Sequence, residues 1–297
     1  MRVFPEWIAG AVSVDAGSVP DILSVHIRRP ALTATDPAPH VFNASMGARL
    51  EVLYASPQIV AQRRRFRELL GVRAGESGVD VGCGVGHLTC ELAEDVDVDG
   101  RMTGVDASAD MLAGAAARVR ARRLGDRVVL REGDATALGL PSASADFVVA
   151  VQTYSYVPDI VAAIAEAARV LRPGGRLGVL ETDWDLCVYG SPDVDLMRRI
   201  FDGRWRFEHA HLPRELNRLF TAAGLTPTHA EAFPLLETSY DPDSFGAGML
   251  ALGRNAAVRH GVDRAQADAW VADVRARGEQ GDWFFCLNRF MFVATKA

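Results

Sequence analysis

From Gly78 to Thr182 the chain alternates short apolar runs with stretches at helical spacing. Strands are expected at 78–82, 102–106, 128–131, 146–151 and 176–182. Helices are expected at 86–94, 109–123 and 160–171. This rhythm constrains the fold more than any other feature. It predicts a parallel sheet wrapped by helices, with ligands bound beyond the carboxyl ends of its strands. The first strand-to-helix turn, "VDVGCGVGHLT", carries three glycines at alternate positions, Gly82, Gly84 and Gly86. Glycine there permits positive φ and leaves backbone open to a ligand.

Dinucleotide sites favour G-x-G-x-x-G, with a pyrophosphate on the helix N-terminus. Here the spacing is G-x-G-x-G, preceded by Asp80. The second strand, "RMTGVDAS", ends in Asp106, an acid placed to accept hydrogen bonds from both hydroxyls of a ribose. The third is followed by "EGDATAL", the fourth reads "ADFVVAVQTYSYVPD", and "RVLRPGGRLGVLE" closes the series. In that order these motifs resemble the class I S-adenosylmethionine-dependent methyltransferases, in the small-molecule branch that includes ubiquinone and menaquinone biosynthesis enzymes and natural-product tailoring enzymes. The resemblance covers residues 47–182 well, loosens from Leu225 and omits the first 45 residues.

The resemblance implies a Rossmann-like α/β fold: a seven-stranded, mostly parallel sheet flanked by helices, the last strand antiparallel, with helical lid additions. It implies S-adenosylmethionine as cofactor, held by Asp80, Gly82, Cys83, Gly84 and Gly86, by Asp106, Ala107 and Met111, by Asp134 and Ala135 at the adenine, and by Gln152. Asp80 either orders the turn or meets the cofactor ammonium through water, and Cys83 reads as a small filler. A nicotinamide-dependent oxidoreductase is opposed by the glycine spacing and the "RPGG" turn.

Methyl transfer needs alignment, exclusion of water and, for a protonated acceptor, a base. The candidate catalytic residues are Asp183, Tyr154 and His211. Asp183 is a base or a cap. Of Tyr154 and Tyr156, one is expected to face the pocket and the other the core. His209 and His211 are imidazole candidates that also read as structural. Glu181 and Trp184 are expected to face the acceptor, and Trp184 also reads as a packed lid residue. Arg289 binds an anionic acceptor or pairs with an acid. No metal site is expected.

The 297 residues suit one domain. It divides into an N-terminal arm at 1–46, a cofactor-binding core at 47–182, lid segments at 183–224 and 238–282, and a final strand at 283–297. A net charge of −6 disfavours nucleic acid. The run Arg63 to Arg65 reads as a solvated helix face. Four scattered cysteines suggest buried thiols in a cytoplasmic protein, and no signal peptide or membrane span is expected. The implied partner is a small, partly apolar acceptor methylated on O, N or C, with a homodimer as a further candidate assembly. The competing functional reading is a cofactor-binding protein on the same fold that catalyses another reaction or acts as a silent partner.

Overall fold

The computed structural model describes residues 51, 53–202 and 207–297; the arm expected at 1–46 lies outside them. Seven strands form one sheet: β1 (Ser77–Val81), β2 (Arg101–Asp106), β3 (Val128–Glu132), β4 (Ala145–Val151), β5 (Leu171–Tyr189), β6 (Leu225–Glu237) and β7 (Phe285–Lys296). Their order is β3-β2-β1-β4-β5-β7-β6. The strands from β3 to β5 pair in parallel, and β7 runs antiparallel to both β5 and β6. Strand order reverses between β1 and β4, so the turns leaving these two strands part and open a crevice.

Helices cover both faces. α1 (Pro57–Leu70) starts with proline at its first turn, where no amide partner is needed, and ends on Gly71 in the left-handed conformation. α2 (His87–Asp95) follows the glycine turn, α3 (Ala109–Ala121) follows β2, and α4 (Ile160–Val170) follows β4. α1 buries Ile59, Gln62, Phe66 and Leu70. A Cβ at Gly178 would lie 2.9 Å from Phe66 Cζ, so glycine on β5 lets this helix seat closely. Of the arginine run, Arg64 is exposed. Arg63 corrects the expectation of a solvated face: it is buried and pairs with Glu91, 2.9 Å from Nη2 to Oε1.

β5 runs seven residues past the end expected at Thr182, because β7 keeps pairing with it beyond an irregularity between Thr182 and Cys187. This extension carries a second apolar layer built from α5 (Val194–Ile200), α7 (Phe245–Arg259) and α8 (Arg264–Glu279); α6 (Leu216–Ala222) packs on the main sheet. Tyr189 centres the added layer, its ring 4.9 Å from Phe201 and from Phe285. Its hydroxyl donates to the Gly246 carbonyl at 2.6 Å, which satisfies the polar atom of this buried ring. No helix among the described residues is long and apolar enough to cross a membrane.

Candidate cofactor and acceptor site

A cavity of ≈ 310 Å³ lies at the strand-order reversal. Its floor is the glycine turn. Gly82, Gly84 and Gly86 have φ of 69°, 54° and 78°, which side-chain-bearing residues rarely adopt. They serve different ends. A Cβ at Gly82 would lie 2.2 Å from Thr153 Oγ1, and one at Gly86 would lie 3.0 Å from Ala115 Cβ. These two let neighbouring chain pack tightly. A Cβ at Gly84 would meet nothing within 4 Å, and Gly84 lines the cavity. Its open backbone is where a ligand can press.

Asp106 is the clamp of this turn. Its Oδ2 accepts from the Gly84 N–H at 2.8 Å and its Oδ1 from the Ser108 N–H at 2.9 Å. Each carboxylate oxygen keeps a further lone pair. Asp134 accepts from the Thr136 N–H and hydroxyl, both on Oδ1. Those hydrogen bonds hold its carboxyl below the ordinary value. Asp80 lies beneath the turn, accepts from Thr89 Oγ1 at 2.6 Å and is pushed up to about 7, chiefly by burial. Cys83 also lines the cavity, and burial pushes its thiol up. Gln152 has φ of 53°, a non-glycine residue held in the left-handed region at the cavity wall. Its side chain accepts from Thr182 Oγ1 at 2.9 Å and donates to the Leu180 carbonyl at 3.3 Å, bonds that help hold this conformation. Ala107, Met111 and Ala135 complete the wall; of the residues expected at a cofactor, only Gly86 does not line it.

The expected catalytic residues lie elsewhere. Tyr154 is fully buried in the core beneath α4, so it is Tyr156 that lines the cavity. Asp183 and His211 do come together, 3.0 Å from Nδ1 to Oδ1, yet neither lines the cavity. Arg214 donates to Asp183 through Nε at 2.5 Å and Nη2 at 2.9 Å, and to Asp185 at 2.9 Å. Burial raises the Asp183 carboxyl, but the bonds from Arg214 and His211 outweigh it and hold the group below its ordinary value. Asp183, Asp185 and His211 have ligand atoms close enough for a metal, but the guanidinium of Arg214 already supplies a cation to both acids. His209 Nε2 donates to the Val157 carbonyl at 3.1 Å. Trp184 stacks on Phe207 at 4.6 Å, as a packed lid residue would.

Glu181 turns inward. Its Oε1 accepts the N–H groups of Thr153, Tyr154 and Ser155 at 3.0, 2.7 and 3.3 Å, capping the short 3-10 turn at 154–156. Burial pushes its carboxyl up to about 7. Sequence reasoning passed over Tyr54 and Gln62 at the cavity, took Arg63 for a solvated residue, and left His87 without a role. His87 lies 3.1 Å from Glu51 Oε2 and 3.0 Å from Arg118 Nη2, and burial with the Arg118 charge brings it down to about 4. Nothing in local periodicity marks these residues, since α1 is brought over the cavity by packing on β5, β6 and β7.

The sheet order, with its single reversed strand, and the glycine-turn cavity at the crossover define a Rossmann-like class I methyltransferase architecture. Residues 79–179 match the methyltransferase domain family. Over those residues the chain is similar to methyltransferase domains, and S-adenosylmethionine is the molecule bound in one solved methyltransferase structure that shares the fold. The demethylmenaquinone methyltransferase of Lactobacillus johnsonii is 37% identical over 120 residues, 40% of this chain and 49% of that protein. The 27-O-demethylrifamycin SV methyltransferase of Amycolatopsis mediterranei is 39% identical over 115 residues, 39% of this chain and 42% of that protein. A SAM-dependent methyltransferase from Aquifex aeolicus shares the fold at a TM-score of 0.52 and 15% identity, over 84% of this chain and 99% of that one. The chain spans 37% to 59% of the length of such curated relatives.

Proposed function

We propose that this protein transfers a methyl group from S-adenosylmethionine to O, N or C of a small, partly apolar acceptor. The observation that carries the reading is the open backbone of Gly84 between two carboxylates, Asp106 and Asp134, on one cavity wall. These groups fit the cofactor. Asp106 has lone pairs left for the ribose hydroxyls, and Asp134 has Oδ2 for the adenine amino group. Ala135 offers backbone at the adenine, and Gln152 with Thr153 borders the methionine end. The cofactor supplies a methyl group on a sulfonium, which is already a good leaving group. The chain's own part is to bind, orient and dry the site.

The lid follows from the same reading. Residues 183–224 and 238–282 build the acceptor side over the core at 47–182, and Tyr156 and Arg289 face the acceptor. Asp183, His211 and Arg214 act as positioning residues that tie the segment after Phe207 to β5. Tyr154 anchors the turn that presents Tyr156. Two relatives are named as methyltransferases of demethylmenaquinone and 27-O-demethylrifamycin SV.

The test is calorimetric titration of S-adenosylmethionine and S-adenosylhomocysteine into wild type and Asp134→Ala. Binding by wild type, weakened about tenfold (about 1.4 kcal/mol) in the variant, supports the reading. A wild type that binds neither sinks it. Methylated product from a screen of quinols, phenols and macrolactams then separates transfer from a cofactor-binding protein with another activity.

A further inference from the structure

β7 alternates in burial, with Phe285, Leu287 and Met291 at 0% exposure on one face. Arg289 occupies the same face and is 4% exposed. Strand periodicity calls for an apolar side chain there, and a buried cation needs a compensating partner. The partners are few. Nη1 donates to Gln62 Oε1 at 3.1 Å, and Gln62 is itself buried. The guanidinium carbon lies 5.1 Å from the Phe245 ring centroid. Among the described residues Nε has no acceptor and no carboxylate pairs with this guanidinium. Burial lowers it to about 10, so it stays charged at neutral pH.

The cavity's other basic side chains are already engaged. Arg63 is paired with Glu91 and the Tyr54 carbonyl, and His87 lies between Glu51 and Arg118. The carboxylates that line the cavity, Asp80, Asp106 and Asp134, sit on β1, on β2 and after β3. Arg289 enters from β7, three strand positions beyond β1 in the sheet order, which is roughly 14 Å at ordinary strand spacing. The cavity therefore has an acidic side for the cofactor and one cationic point near its acceptor side. Tyr54, Tyr156 and Glu181 are the titratable groups that face that point.

We propose that Arg289, held by Gln62, receives an anionic oxygen group of the methyl acceptor. The proposal rests on the methyl-transfer reading and specifies its substrate class: a mostly apolar molecule bearing a carboxylate, phenolate or enolate. A planar guanidinium suits this task, since it offers several donors in a fixed fork and stays charged when buried.

The probe is 4-nitrophenol, whose anion is coloured, titrated with the full chain in the presence and absence of S-adenosylhomocysteine. The wild type should bind the anion in preference, lowering the apparent pKa of bound nitrophenol by about one unit, a tenfold preference. Benzoate that displaces it marks a carboxylate-bearing acceptor; anion binding that benzoate does not disturb marks a phenolate or enolate. Arg289→Gln should abolish the spectral shift while thermal midpoint and S-adenosylhomocysteine affinity stay within a few-fold of wild type. If Arg289→Gln does not fold, Gln62→Leu should reduce the shift, and the wild-type titration alone still decides the sign. A wild type that binds neutral nitrophenol as well as its anion, or a folded Arg289→Gln that binds the anion undiminished, overturns the proposal. Failure to bind S-adenosylhomocysteine would sink the cofactor reading instead and leave the anion result standing.

Discussion

Thr89 Oγ1 donates to Asp80 Oδ2 at 2.6 Å, joining the first turn of α2 to β1 beneath the glycine turn. Both side chains are buried. This bond ties together the two elements that the turn connects. Removing the hydroxyl leaves a buried carboxylate unpaired. Thr89→Val should lose roughly 1–3 kcal/mol in chemical denaturation, and Thr89→Ser should recover most of it. An unchanged midpoint for the valine variant would show that the bond contributes nothing.

Asp80 and Glu181 make stability depend on pH. Both carboxyls are pushed up to about 7, chiefly by burial, from ordinary values of 3.8 and 4.5. The folded state therefore holds more protons than the unfolded chain between about pH 4 and pH 7, and stability falls as pH rises through that window. The denaturation midpoint of wild type should decline between about pH 4 and pH 7. The decline should be shallower in Asp80→Asn and in Glu181→Gln, which carry no titrating carboxyl. Parallel profiles for wild type and both variants would refute the assignment.

Tyr154 has a buried hydroxyl with no hydrogen-bond partner among the described residues, while its ring packs in the core under α4. A buried unsatisfied hydroxyl costs free energy that removing it returns. Tyr154→Phe should raise stability by about 1 kcal/mol and leave cofactor affinity alone. Tyr156 lines the cavity, so Tyr156→Phe should act on acceptor binding rather than on stability. Thermal melts and calorimetry on the two variants check this division. A stability loss in Tyr154→Phe would mean that the hydroxyl has found a partner.

What the sequence disclosed follows from how local each signal is. The glycine turn, Asp106, Asp134 and Gln152 end strands whose apolar runs are visible one at a time, so their approach to one cavity follows from parallel topology. Arg63 and Arg289 are different. A buried cation looks like a solvated one in a hydropathy reading, and only packing of α1 against β7 brings Gln62 to Arg289. The extension of β5 to Tyr189 escaped for a related reason. "TDWDLCVY" has acids at alternate positions and no core signal of its own, and its strand character comes from pairing with β7. Tyr154 and Tyr156, two residues apart on a 3-10 turn, were separable only in space.

The glycines of the turn should fail in different ways. Gly84→Ala places a methyl where nothing lies within 4 Å, at the cost of a strained φ of 54°, roughly 1–2 kcal/mol. It should weaken S-adenosylhomocysteine at least tenfold with a modest loss in melting temperature. Gly82→Ala drives Cβ to within 2.3 Å of two Thr153 side-chain atoms and should lower stability more. Equal stability losses in the two variants, with binding spared in Gly84→Ala, would move the ligand off this turn.

Asp183 distinguishes positioning from catalysis. It is 3% exposed and accepts from His211, Arg214 and the Asp185 N–H, whereas Arg214 is half-exposed, so solvent screens part of the pair. Asp183→Asn should lose about 2 kcal/mol of stability at neutral pH. The sign with pH is opposite to that of Asp80. The folded value is depressed, so the contribution is present above the ordinary 3.8 and is lost as pH falls through the folded pKa. The variant's deficit should therefore shrink in acid. Cofactor affinity should hold, since neither Asp183 nor its partners line the cavity. Once an acceptor is known, a positioning residue predicts a small loss in kcat, whereas a general base predicts roughly 100-fold or more with KM steady. That larger loss, in a variant as stable as wild type, would return Asp183 and His211 to the chemistry.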